Sequence, residues 1–263
     1  MIPFTTEQFL KNFESYNEAI YPVQWLLLTT AVAAIFLSSK PNLRASKIIA
    51  VLLFGLWSWS GIVYHWMFFS RINNAAYLFG LLFVIQAALF LWAGVARNDL
   101  HFRARFSLSG IAGWLLIIYA IVVYPALGYV LGHRYPQSAT FGVPCPLTVF
   151  SFGLLLWVDD DQPLYLTAVP FAWSLIGTTA ALFFGMWEDL GLLAGALIAT
   201  LLILRRRHNR RLHLQARPEH RLRICAKFHS SVRKRPQSDF RLFCFVPFLR
   251  RSRQCPIGTV IAH

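Results

Sequence analysis

The chain returns again and again to uninterrupted apolar stretches. Seven of them lie near residues 19–38, 48–69, 74–96, 107–131, 145–158, 164–185 and 189–204. They are continuous rather than alternating, so they read as helices and not as strands of a sheet or barrel. A bilayer core of roughly 30 Å takes about 20 apolar residues as a helix, which satisfies every backbone polar group within its own segment. The fold class predicted is therefore all-α: a polytopic transmembrane helix bundle of about seven spans. The fifth and seventh runs are short, which fits a place inside the bundle or little tilt. Charge supports the assignment, because only 14% of the 263 residues are charged against 57% hydrophobic. So few charges cannot cover the surface of a soluble fold of this size.

The net charge of +14 lies entirely at one end of the chain. Residues 1–204 hold nine Lys/Arg and nine Asp/Glu, whereas residues 205–263 hold sixteen and two. The chain therefore divides into a transmembrane domain, 1–204, and a basic tail, 205–263, expected to be unstructured. Basic residues in short connectors set orientation. The first connector carries Lys40, Arg44 and Lys47, and the third carries Arg97, Arg103 and Arg105. The second has Arg71 alone, the fourth Arg134 alone, and the fifth and sixth have none. Odd connectors are thus placed in the cytoplasm, the N-terminus outside and the C-terminus inside, although the fifth, with its run of Asp, departs from the trend. A multi-pass integral membrane protein is expected, with the lipid bilayer as its first partner.

Ahead of the first run, residues 4–18 read as a short amphipathic helix. Thr5 and Gln8 have capping-box spacing, and Phe9, Leu10, Phe13, Tyr16 and Ile20 share one face. It lies on the outer interface or continues into the first span; the pattern allows both. The apolar run starts only near Tyr21 and no basic leader precedes it, so a cleaved signal peptide is not expected. Cys145 is the one cysteine before the tail, and no zinc-type spacing occurs. Neither a metal nor a cofactor is expected.

With this orientation, polar residues from three connectors gather on the outer side. His65 lies within the second run, where an ionisable group is costly and marks function or an interhelical hydrogen bond. Arg71 and Tyr77 flank the next turn. His133, Arg134 and Tyr135 open the connector "GHRYPQSATFGVPCP". Arg134 suits a carboxylate or phosphate through its planar fork, or anchors at the interface with Tyr135. Three prolines and two glycines make this connector stiffer than a passive linker needs to be. Glu188 and Asp189 open the seventh run, where the helix dipole favours acids and where chemistry could also be seated. Asp159, Asp160 and Asp161 precede Pro163, and read as a helix start.

The stretches "PFTTEQFL", "YNEAIYPVQW", "YHWMFFSRINNAAYLFGLLFVIQAALFLWAG", "YPALGYVLGHRYPQSATFGVPCPLTVFSFGLLL" and "WEDLGLL" resemble a bacterial multi-pass membrane family labelled domain of unknown function 6064. The resemblance covers about residues 3–204. It implies a membrane protein with no activity or site residues to transfer.

Three functions are therefore weighed. The first is binding or transport of a small polar or anionic molecule at the outer face, with His65, Arg71, Tyr77, His133, Arg134, Tyr135, Glu188 and Asp189 as ligand-binding candidates. No inverted repeat is visible, so a transporter of this size would be a homodimer. The second is a membrane-embedded, metal-dependent hydrolase using His65, His133, Glu188 and Asp189, although the helical HxxxH spacing is absent. The third is a non-catalytic accessory or sensory subunit. The basic tail is expected to contact anionic lipid, and no nucleic-acid recognition module is present.

Overall fold

The protein is described by a computed structural model covering residues 3–159 and 162–233, the last stretch from 213 as helical backbone alone. Its regular elements are all helical, with no strand among the described residues. The helices are α1 (Thr6–Ile20), α2 (Val23–Ser38), α3 (Leu43–Arg71), α4 (Ala76–Ala96), α5 (Leu108–Val130), α6 (Pro144–Leu156), α7 (Tyr165–Phe184) and α8 (Leu190–Arg233). A 3-10 turn, Trp187–Asp189, leads into α8. Residues 1–210 form one compact unit; in the second unit, residues 211–233 continue the helix where the sequence predicts an unstructured tail from residue 205. Residues 234–263, like Asp160 and Asp161 of the predicted helix start, lie outside the described residues.

Five helices, α3, α4, α5, α7 and the start of α8, are long and apolar enough to cross a membrane. The pair α1–α2 adds a sixth, but it is bent by 86°. Seven spans were expected, and the difference lies in α6, which has only 13 residues. At 1.5 Å per residue it falls well short of a bilayer core. Its burial explains this: among its residues only Cys145 is not buried. It is the central post of the bundle and meets protein on every side, with α3, α5 and α7 around it.

The long helices instead turn apolar side chains outward. Leu78, Leu81 and Ile85 on α4, Leu115, Ile118 and Val122 on α5, and Leu197, Ile198 and Leu201 on α8 are all exposed. Apolar surfaces of this extent suit contact with lipid. Between helices, small residues set the spacing. Gly61 of α3 faces Gly80 of α4, Gly113 of α5 faces Gly153 of α6, and Gly191 and Gly195 of α8 receive Tyr119 and Leu116 of α5.

Three helices contain i→i+5 turns: Ser60–Phe68 in α3, Trp92–Ala96 in α4 and Tyr119–Val123 in α5. Each shifts the faces beyond it out of the regular helical register.

The bundle has two chemically different ends. At one, Arg105 pairs with Asp159 at 2.6 Å, and Arg206 and Arg207 donate to the carbonyls of Leu156, Val158 and Gln162. At the other, α1 packs Phe9, Phe13, Tyr16 and Ile20 against Tyr64, Phe68 and Phe69 of α3, Tyr124 of α5 and Ala180 of α7. Thr5 and Gln8 close its N-terminus as a reciprocal capping box.

Candidate functional site

The site is at the α1 end and begins with the break between α7 and α8. Gly185 adopts φ +73°, a left-handed stop that needs no Cβ. The turn after it directs Glu188 and Asp189 into the protein, where they are 1% and 2% exposed. Burying carboxylates is costly unless they are paired or hydrogen-bonded. His133 Nδ1 lies 3.0 Å from Glu188 Oε1. Gly128 leaves room for this carboxylate, since a Cβ there would sit 3.3 Å from Oε1. The Tyr119 hydroxyl donates to the Glu188 carbonyl at 2.7 Å, and the Tyr124 hydroxyl donates to Asp189 Oδ1 at 2.7 Å. The Cys145 thiol lies against the Asp189 carboxyl. Glu188 Oε2 has no hydrogen-bond partner among the described residues.

Asp189 and Cys145 both face a chamber of about 310 Å³. Its walls are Phe9 and Phe13 from α1, Tyr64 and Phe69 from α3, Phe79 from α4, and Trp173 and Phe184 from α7, with Phe4 stacked on Phe184 at 5.1 Å. Exposed Ala75 and Thr179 mark its open side, between the start of α4 and the end of α7.

Of the residues singled out from sequence, His133, Glu188 and Asp189 come together, and the others do not join them. His65 is fully buried, yet not beside His133. Its Nδ1 donates to the Ser60 carbonyl at 2.9 Å, and Nε2 has no partner among the described residues. Its ring packs on Phe83 at 4.7 Å and on Trp173 at 5.1 Å, behind the chamber wall. Arg134 is exposed and lies over the Tyr129 ring at 4.9 Å, outside the chamber. Tyr135, also exposed, borders a separate apolar cavity of about 460 Å³ with Tyr21, Trp25 and Tyr124. Arg71 lies over Phe68 and edges a shallow groove with Lys11 of α1. Tyr77 is an exposed side chain whose carbonyl accepts from Trp66 Nε1. Among the described residues no three His, Cys, Asp or Glu side chains converge as a metal ligand set.

Sequence reading passed over Tyr119 and Tyr124. Five residues apart, they fall on different faces of a regular helix, and the i→i+5 turn between them brings both to the Glu188–Asp189 turn. It also passed over Asn17, the fully buried residue that fixes the proline-rich connector. Asn17 Nδ2 donates to the carbonyls of Pro136 and Ser138 at 2.7 and 2.8 Å, and Thr140 donates to Asn17 Oδ1 at 2.7 Å. The stiffness of the connector thus serves its docking beneath α1. Asn17→Ala removes three hydrogen bonds to part-buried partners, at a cost on the order of 2 kcal/mol. Its expected readout is a lower thermal midpoint together with protease cleavage between Gly132 and Val143, which the wild type resists.

One family model, described as a family of unknown function (DUF6064), matches residues 6–214. No curated protein and no solved structure matches the chain.

Proposed function

We propose, from the premise that this chain belongs to the DUF6064 family of unknown function, that it is a membrane protein binding a small polar-headed molecule in the chamber at its α1 end. The observation that carries this reading is the chamber itself. A concave, largely aromatic space with a few convergent polar groups is the usual form of a small-molecule site. Here the polar groups are Asp189, Cys145 and Tyr64, drawn from three helices or their leading turn. No metal chemistry enters the reading.

The reading places the α1 end outside and the arginine end in the cytoplasm of a bacterial inner membrane. The basic first and third connectors, with the arginines from Arg205 onward, support this by the positive-inside bias. In a background with the other cysteines replaced, Arg134→Cys is expected to react with an impermeant maleimide from outside intact cells. Arg44→Cys is expected to react only after permeabilisation. Labelling of both from one side sinks the orientation.

Occupancy is tested without assuming the compound. Native mass spectrometry of protein released from mild detergent is expected to show a retained small molecule. Thr179→Trp, which plugs the mouth from an exposed position, is expected to lose it. Identical spectra from the two proteins would remove the chamber as the site.

A further inference from the structure

We infer that the chamber takes a small organic ammonium, its cationic head on Asp189 and its apolar body against the rings of Trp173, Phe9 and Phe79. The inference rests on the chamber reading above and specifies the chemistry of the occupant.

The first support is a buried carboxyl group with no cationic partner among the described residues. Asp189 is 2% exposed and lines the chamber. Among the described residues, the groups acting on its carboxylate are Tyr124, Cys145 and the neighbouring acid Glu188, none of them cationic. Glu188, by contrast, has His133. An ionised carboxylate has about four lone-pair positions. Tyr124 takes one on Oδ1 and the Cys145 thiol a second, so capacity is left for a charged donor.

The second support is the character of the walls. Among the described residues no Lys, Arg or His lines the chamber, so none of them repels a cation there or competes with it. Ring faces attract cations through their quadrupole, and a carboxylate set among aromatic rings is a recurrent arrangement for ammonium groups. The same walls offer no cationic group to an anion, because Arg134 and His133 are not among them. The volume, about 310 Å³, sets the size: a head group with one ring or a short alkyl body, not a lipid.

The probes are 2-phenylethylammonium, the isosteric neutral alcohol 2-phenylethanol, and phenylacetate, each titrated against the full chain in detergent while thermal stability is followed. The ammonium is expected to bind wild type at least about tenfold more tightly than the alcohol, a charge-assisted hydrogen bond being roughly twice as strong as a neutral one. Phenylacetate is expected to give no shift. Asp189→Asn, which keeps the shape, is expected to bring ammonium and alcohol to equal affinity, and Thr179→Trp to abolish both.

Equal binding of alcohol and ammonium to wild type overturns the inference but leaves the chamber reading standing. So does an ammonium preference that survives in Asp189→Asn. If Thr179→Trp binds the ammonium as wild type does, the probe is elsewhere and the chamber reading fails too. The wild-type comparison of ammonium with alcohol needs no variant, so a poorly folding Asp189→Asn does not block the test. No shift from any probe overturns the inference, and the retained-molecule experiment then decides the chamber reading separately.

Discussion

Trp57→Ala is expected to destabilise the bundle by about 3 kcal/mol and to lower its thermal midpoint in detergent by roughly 10 °C. Trp57 is fully buried where α3, α4 and α6 meet. Its ring stacks on Phe83 at 4.5 Å and its Nε1 donates to Ser151 Oγ at 2.9 Å. In water, truncating such a residue loses both transfer energy and packing. In lipid the transfer part is muted, since a dispersed helix still keeps its tryptophan in hydrocarbon. The cavity part remains, which puts the estimate at the lower end of the usual range. Trp57→Phe keeps most of the packing and loses the hydrogen bond, so about 1 kcal/mol is expected. A Trp57→Ala protein as stable as Trp57→Phe would mean that this junction is loosely packed.

A second large effect is expected at the α5–α6 seam. A Cβ on Gly113 would lie 2.6 Å from Trp157 Nε1 and 2.9 Å from the Gly153 carbonyl oxygen. The carbonyl belongs to the backbone of the central helix, so it moves only if the helix moves. Trp157 is itself held by its Nε1 donating to the Gly110 carbonyl at 3.1 Å. Gly113→Ala is expected to cost about 2–3 kcal/mol through overpacking. Gly113→Leu forces α5 away from α6 and is expected to abolish accumulation of folded protein, read as loss of the monodisperse peak in size-exclusion chromatography. Gly55 is the control, because nothing lies within 4 Å of a Cβ placed there. Gly55→Ala is expected to leave that peak intact.

The helices were legible because a long apolar run admits few alternatives in lipid, and the ends of α4, α5 and α7 fall within a few residues of their runs. The central position of α6 was only half legible: its run is short, but a short run alone does not distinguish a buried post from a tilted span. The site was less legible still. His65 reads as a polar group near the outer mouth because composition cannot reveal a ring cage formed by Phe83 and Trp173 from two distant helices. The i→i+5 turns leave no mark in composition, so the convergence of Tyr119 and Tyr124 on one turn was hidden. Glu188 and Asp189 had a sufficient local explanation as a helix start, which masked their inward course. The pairing of Gly113 with Gly153 is known only from the packing.

The 86° bend between α1 and α2 has a mechanical consequence. With α2 along the bilayer normal, α1 runs nearly in the plane of the membrane surface, and Phe9 and Phe13 beneath it roof the chamber. Headgroup crowding and curvature stress would then bear directly on that roof. On the proposed reading, a compound in the chamber is expected to be held with different strength in bilayers of different lateral pressure.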